Sequence, residues 1–176
     1  MQKVGMICVM TLLCGGLLFA EHDKQKPPNK ASAGKSSVDK GSAEKNKATA
    51  RRVFDDLWTG GRYELISSMY ESNAIVHFGN RDSPLSEVVS EGKEMRSAFP
   101  DLVVTANRVT ANGDMVEVSW SAHGTNRGQA RGYPGKGKQA KTQGTSKFKF
   151  NGDGKIAEVW VGGWNEQDVR RQVTGK

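Results

Sequence analysis

The apolar positions in the first half of the chain recur at helical spacing. Over residues 45–61 they lie three or four positions apart and end at a Gly-Gly pair, which predicts a helix. Two further stripes, over residues 65–70 and 84–99, predict two more helices. The last should end before Pro100, because a residue that precedes proline avoids the helical conformation. The short apolar run at residues 73–79 predicts a strand between the second and third helices.

After Pro100 the apolar period changes from 3.6 to 2, which is typical of half-buried strands. Residues 101–125 predict two strands joined by a tight turn at residues 111–114. A glycine-rich link over residues 124–138 leads to a third strand, and a turn at residues 151–154 leads to a fourth strand and a short polar helix. We therefore predict an α+β fold, with N-terminal helices packed on one face of a curved antiparallel sheet.

The first 20 residues have the pattern of a secretory signal peptide. Lys3 gives a positive start, residues 4–19 are uncharged, and the small Ala20 precedes the charged Glu21. We predict cleavage after Ala20, a secreted or periplasmic mature protein, and no membrane association after cleavage. The alternative is an uncleaved anchor, although the run is shorter than the roughly 20 apolar residues that span a bilayer.

Residues 21–44 have the composition of a flexible linker. They are rich in lysine, serine, proline and glycine, and Val38 is their one β-branched aliphatic residue. Such a segment cannot bury enough apolar surface to offset the entropy lost on ordering. The folded domain is therefore predicted to comprise residues 45–176, which is long enough for a single core.

The composition excludes several kinds of chemistry. Both cysteines, Cys8 and Cys14, lie in the predicted signal peptide. The mature chain would contain none, which rules out a disulfide scaffold, a zinc–cysteine or iron–sulfur site and a cysteine nucleophile. The three histidines do not form a metal-binding pattern. We therefore expect no metal and no cofactor.

A run of positive charge interrupts the otherwise balanced domain. Seven lysines and arginines, and no acid, lie between Glu117 and Asp153. A basic module that binds nucleic acid or an anionic glycan is therefore one alternative function. However, Lys141, Lys147 and Lys149 share one face of the predicted strand, and no aromatic residue accompanies them there for a base to stack upon. The pattern argues against nucleic acid as a partner.

Several strings resemble the SnoaL-like polyketide cyclase family, within the broader group of NTF2-like cone folds. They are VFDDLWTGGRYELISSMYESNAIVHF at residues 53–78, Phe-Pro-Asp at residues 99–101, Gly-Thr-x-x-Gly at residues 124–128 and GDGKIAEVW at residues 152–160. The resemblance implies a curved sheet that wraps around a long helix and encloses a mostly apolar pocket. Because relatives often form dimers, it also implies a homodimer.

The chemistry of this family carries over less completely than its fold. Family cyclases move a proton with a histidine and an aspartate in the pocket, and strand matching places these positions at Ser146 and Val161. Neither side chain has a pKa near the working pH, so the resemblance implies a pocket without the acid/base pair. His77, which matches a family histidine at a strand end, is the candidate catalytic residue. The alternative is a strand-end histidine satisfied by the backbone.

Two further function classes remain. The first is an exported domain that binds a small, largely apolar organic molecule, because concave apolar sites suit such ligands. The second is an ester- or polyketide-cyclase or isomerase-type enzyme that transfers a proton through His77 without a metal. Whether the chain is an enzyme stays open at this point. The residues expected to contact the small-molecule substrate are Trp58, Met95, Phe99, Thr142, Ser146, Phe148, Val159, Val161 and Trp164.

Overall fold

The computed structural model describes the backbone of residues 35–175 and the side chains of residues 41–175. The predicted signal peptide and residues 21–34 of the predicted linker lie outside the described residues. Helix α1 (Lys35–Arg52) begins ten residues before the predicted start of the domain, so the end of the predicted linker is helical. Among the described helices, none has the length and apolar character that crossing a bilayer requires. Export and cleavage stay predictions.

Helix α1 continues without a break into seven residues of π-helix, Val53–Thr59. Within this wider turn the carboxylate of Asp56 is buried and forms ion pairs with Arg52, at 2.9 Å, and with Arg62. The helix stops at the predicted Gly-Gly pair. A Cβ atom on Gly60 would lie 2.6 Å from the Asp56 carbonyl oxygen, so the close approach requires glycine there.

The second predicted helix begins two residues earlier and ends one residue earlier than its apolar stripe indicated. It consists of one 3₁₀ turn, Tyr63–Leu65, and helix α2 (Ile66–Met69). Tyr70, which the stripe placed in the helix, is instead the first residue of strand β1 (Tyr70–Phe78). The third helix, α3 (Leu85–Ala98), ends before Pro100 as predicted.

A single sheet of six strands has the order β2-β1-β6-β5-β4-β3. Neighbouring strands are antiparallel except β1 and β6, which are parallel. The predicted antiparallel meander is therefore confirmed for β3 to β6, and β1 extends it from the N-terminal half. Strand β2 was not predicted, because its four residues, Arg81–Pro84, show no alternation of apolar and polar side chains. The strands beyond β1 are β2 (Arg81–Pro84), β3 (Val103–Asn112), β4 (Met115–Asn126), β5 (Lys138–Phe150) and β6 (Ile156–Gly162).

The helices pack on the concave face of this sheet. Helix α1 and its π-helical continuation contact β3, α3 contacts β1, and the C-terminal helix α4 (Glu166–Thr174) contacts β5. The main core lies between them, with the rings of Phe54 and Phe148 edge to face and their centroids 6.0 Å apart. The predicted α+β class, with helices on one face of a curved sheet, is confirmed.

The two most specific strings of the sequence, at residues 99–101 and 124–128, contact each other. The Asp101 carboxylate accepts a hydrogen bond from the Thr125 amide at 2.6 Å, which holds the pKa of that carboxyl below its usual range. The Gly128 amide donates to the Ala98 carbonyl oxygen at 3.1 Å. A Cβ atom on Gly128 would lie 1.9 Å from a carbonyl oxygen of α3, so no other residue fits. These strings therefore join the end of α3 to the end of β4.

Candidate functional site

The concave face of the sheet and the helices enclose an apolar cavity of about 150 Å³. An engineered cavity of about this size holds a benzene molecule, so one aromatic ring is a suitable occupant. The predicted position of the pocket is confirmed, whereas the binding of a substrate there stays a prediction. All nine residues predicted to contact the substrate line the cavity: Trp58, Met95, Phe99, Thr142, Ser146, Phe148, Val159, Val161 and Trp164.

The alternation of strand side chains decides which residues reach the cavity. On β6, Val159 and Val161 point inward, while Glu158 and Trp160 lie on the outer face. The difference in exposure is large, since Val159 is 3% exposed and Trp160 is 36% exposed. The alternation of apolar and polar residues in the sequence is enough to predict which of these side chains face the cavity.

Several lining residues were not predicted as site residues. Phe54 belongs to the apolar stripe of the first helix, and Trp120 is on the same face of β4 as most of the other apolar residues of that strand. The sequence pattern therefore indicated that both side chains point inward. Arg131 lies in the glycine-rich link, where no periodicity assigns a direction. The lining residues missed include Phe54, Tyr70, Phe78, Glu91, Leu102, Trp120 and Arg131.

The cavity wall contains a small number of hydrogen-bonding groups. The Trp120 indole Nε1 donates to the Ser146 hydroxyl oxygen at 3.1 Å, and Ser146 is 4% exposed. Burial raises the pKa of the Tyr70 phenol, which therefore stays neutral and able to donate a hydrogen bond at physiological pH.

The two positions that the family resemblance assigned to proton transfer both lie in the cavity wall. Ser146 and Val161 are direct neighbours across the β5–β6 pairing. A serine hydroxyl and a valine side chain offer hydrogen bonding and apolar contact. They offer no group that gains and loses a proton near neutral pH.

His77, the candidate catalytic residue, does not line the cavity. It lies on the outer face of the sheet, where its ring stacks on Trp160 with centroids 5.1 Å apart. Its Nδ1 lies 2.6 Å from Asp82 Oδ1, and its Nε2 lies 3.6 Å from Glu158 Oε2. His77 therefore lies outside the cavity and contacts carboxylates, whereas the sequence placed it in the pocket or bonded to the backbone; its catalytic role stays a prediction.

Of the two carboxylates beside His77, Glu158 is a partner that the sequence offered as a candidate, whereas Asp82 was not predicted. Asp82 belongs to β2, the edge strand that showed no pattern, and Glu158 is brought beside β1 by the parallel pairing with β6. Among the described residues, no group of three or more histidine, cysteine or acidic side chains is placed to hold a metal ion.

A charged cluster lies beside the cavity. Its members are two arginines and four glutamates: Arg81, Arg131, Glu87, Glu91, Glu94 and Glu166. Glu91 and Arg131 are the two charged side chains of this cluster that line the cavity. The Arg81 guanidinium donates to both carboxylate oxygens of Glu91, at 2.9 and 3.2 Å. These hydrogen bonds hold the pKa of Glu91 below its usual range, so this carboxylate is a weak base.

The basic run predicted from the sequence has acidic neighbours in space. Lys149 pairs with Glu158 at 2.8 Å, and Lys147 lies 3.5 Å from Glu117. Arg131 lies within 4 Å of three carboxylates. The local positive charge is thus partly compensated, which weakens the case for a surface that binds phosphates.

The curved sheet and the cavity define the chain as an NTF2-like α+β cone. A model of the SnoaL-like polyketide cyclase family matches residues 48–173. The chain therefore belongs to this family, and the resemblance inferred from the sequence is confirmed.

Solved structures share the fold at low sequence identity. A protein provisionally described as a SnoaL-like polyketide cyclase from Jannaschia sp. CCS1 is 21% identical, with a TM-score of 0.67 over 76% of this chain and 94% of its own. AclR from Streptomyces galilaeus, provisionally described as a hydroxylase, is 18% identical, with the same TM-score over 76% and 83%. A protein provisionally described as a polyketide cyclase from Acidithiobacillus ferrooxidans is 23% identical, with a TM-score of 0.63 over 74% and 95%. No curated protein matches this chain.

Proposed function

We propose that this chain is an exported SnoaL-like domain that binds a small, largely apolar organic molecule in its cavity, without the histidine–aspartate pair of the family cyclases. The observation that carries the proposal is the cavity wall itself. It is built mainly from aromatic and aliphatic side chains, and it includes Ser146 and Val161, the positions to which the family resemblance assigns the cyclase pair. The N-terminal sequence pattern supports export.

The energetics of the cavity favour an apolar occupant. Burial of apolar surface contributes roughly 25 cal/mol per Å², and the cavity offers aromatic walls from Trp58, Trp120 and Trp164. Water gains little in such a space, because it needs two to four polar partners to be held. A molecule of about one ring should therefore displace water favourably.

The alternative is a cyclase- or isomerase-type enzyme that uses His77. Family membership favours it, because relatives are described as polyketide cyclases. The position of His77 weighs against it, since the ring lies on the outer face of the sheet, away from the cavity-lining residues. We therefore place binding first and catalysis through His77 second.

The experiment that tests the proposal is a titration of the purified domain with ethylbenzene, followed by NMR of backbone amides. We expect saturable shifts at residues around the cavity. Val161→Phe fills part of the cavity and should weaken binding at least tenfold. Gln143→Phe adds the same side chain to the outer face of β5, where residue 143 is exposed, and should leave the affinity unchanged.

His77→Gln provides a second control. We expect it to bind ethylbenzene as the wild type does, because His77 does not line the cavity. Absence of saturable binding, or equal weakening by Val161→Phe and Gln143→Phe, would contradict the proposed function. Ring-closing activity that is abolished by His77→Gln would favour the enzyme alternative.

A further inference from the structure

Arg131 combines three unusual features at the edge of the cavity. It lines the cavity, its side chain is only 19% exposed, and its backbone φ is +51°. Among the described residues it is the one non-glycine residue with positive φ. Left-handed backbone is unfavourable for an arginine and persists where the surrounding structure holds it, commonly at ligand sites.

The surrounding contacts hold Arg131 in this conformation. The Arg170 guanidinium donates to the Arg131 carbonyl oxygen at 2.5 Å, and it also lies over the ring of Tyr133, 4.7 Å from the centroid. The Tyr133 amide closes the turn by donating to the Ala130 carbonyl oxygen at 2.9 Å. These contacts fix the backbone so that the Arg131 side chain remains at the cavity wall.

The hydrogen-bonding capacity of the Arg131 guanidinium is only partly used. Its Nε is buried and has no hydrogen-bond partner among the described residues. Its terminal nitrogens lie 3.7 Å from Glu91, 3.5 Å from Glu94 and 3.6 Å from Glu166. These distances exceed the 2.7–3.2 Å of a normal hydrogen bond. An arginine carries five N–H donors, so an arginine with an unpartnered Nε–H and long contacts at its terminal nitrogens has donors left for a ligand acceptor.

Arg81 gives the contrast within the same cluster. It donates to Glu87 at 2.8 Å and to Glu91 at 2.9 and 3.2 Å, and it does not line the cavity. Arg81 thus makes a complete structural ion pair with a carboxylate that Arg131 only approaches. Arg81 therefore has a structural role, whereas Arg131 keeps N–H donors that another group can use.

The charge around Arg131 determines what kind of acceptor fits. Three carboxylates lie within 4 Å of its terminal nitrogens and already compensate its charge. A ligand carboxylate placed there would be repelled by these three groups. A neutral carbonyl oxygen accepts the same hydrogen bonds without this repulsion.

We propose that Arg131 recognises the ligand of the cavity by donating hydrogen bonds to a neutral carbonyl oxygen, such as that of a ketone, ester or amide, on an otherwise apolar molecule. This inference rests on the proposed function, and it adds the chemical class of the ligand and the residue that selects it.

The test compares three probes of one shape: ethylbenzene, acetophenone and benzoate. Binding to the full domain is measured by calorimetry or by NMR of backbone amides at neutral pH. We expect acetophenone to bind about tenfold more tightly than ethylbenzene, because a hydrogen bond to a charged donor is worth about one such factor. Benzoate should bind more weakly than acetophenone.

The variants isolate the role of the guanidinium. Arg131→Met keeps an apolar stem but removes the donors, and it should reduce the acetophenone-to-ethylbenzene preference to about one. Arg81→Met removes the neighbouring arginine of the same cluster and should leave the preference unchanged. The preference is a ratio within one variant, so a general loss of stability does not change it.

Arg131→Gly is the second variant, since glycine accepts the positive φ and should fold at least as well as the wild type. It too should lose the preference for acetophenone. Equal binding of ethylbenzene and acetophenone to the wild type, or a preference that survives in Arg131→Met and Arg131→Gly, would overturn the inference. Benzoate binding more tightly than acetophenone would overturn the assignment of a neutral acceptor. If ethylbenzene and acetophenone both fail to bind, the proposed function fails first.

Discussion

The inner and outer faces of strands β1 and β6 differ in their chemistry, although their residues alternate along the same short segments. Val159 and Val161 line the cavity, while Glu158 and Trp160 lie outside and meet His77 from β1. A shift of one residue in a strand moves a side chain to the opposite face. Titratable residues close in sequence to a pocket therefore do not make a catalytic pocket.

The two faces also differ in how their interactions are stabilised. The inner face is apolar and buried, so removing atoms there loses packing contacts and enlarges the cavity. The outer face carries charge pairs such as Lys149 with Glu158, which solvent screens. Substitutions on the two faces should therefore differ in their effect, and two matched pairs of variants and one single variant test this difference.

The largest difference should follow from shortening adjacent residues of β5. Phe148 is 1% exposed and packs edge to face on Phe54, so Phe148→Ala should lower the free energy of unfolding by about 3–5 kcal/mol. Lys147→Ala, one residue earlier on the outer face, should change it by less than about 0.5 kcal/mol. Chemical denaturation of both variants measures the difference. Similar losses in both would mean that the outer face is covered in solution.

A smaller difference is expected for two serines that each bond one other side chain. Ser146→Ala leaves the buried Trp120 indole N–H without an acceptor and should cost about 1–3 kcal/mol of unfolding free energy. Ser121, on the outer face, bonds Asn107 at 3.2 Å in an exposed position, and Ser121→Ala should cost less than about 0.5 kcal/mol. Equal costs, measured by denaturant titration, would indicate that water reaches Trp120.

The smallest effect is expected from the outer charge pair. The hydrogen bond from Lys149 is the main cause that lowers the pKa of Glu158. The charge pair therefore stabilises the folded state at pH values above the ordinary glutamate pKa of about 4.3, and this stabilisation is lost as the pH falls through the lowered pKa. Lys149→Met should raise the pKa of Glu158 toward its ordinary value, as measured by NMR titration. Binding of ethylbenzene in the cavity should not change. An affinity that follows this titration would show that the two faces are coupled.

The sequence predicted the parts of the fold that depend on local period. The helix α3, the hairpin of β3 and β4, and the strands β5 and β6 follow directly from the spacing of apolar residues. It did not predict β2, whose residues show no apolar period, or the strand conformation of Tyr70, which is decided by pairing with the distant Ile156. Local propensity carries no information about a partner strand that lies elsewhere in the chain.

The residues of the candidate site also fall into two groups, those that the local period of the sequence predicts and those that it does not. Seven of the nine predicted contact residues lie on helices or strands whose inward face the period reveals, Phe99 and Trp164 lie just beyond such elements, and all nine line the cavity. Arg131 was missed because its direction is set by a left-handed turn and by Arg170 from another element. The position of His77 was misjudged because a matching string places a residue along a strand and does not say which face it occupies.

The parallel pairing of β1 with β6 has a consequence for the order of folding. The contact between Asn151 and Glu71 spans 80 positions of the chain, whereas the hairpins of β3 to β6 close over short turns. Closing these hairpins therefore costs little loop entropy, and forming the β1–β6 contact costs more. During synthesis β1 leaves the ribosome long before its partner exists. The cavity can be closed on this side only after almost the entire chain has been made.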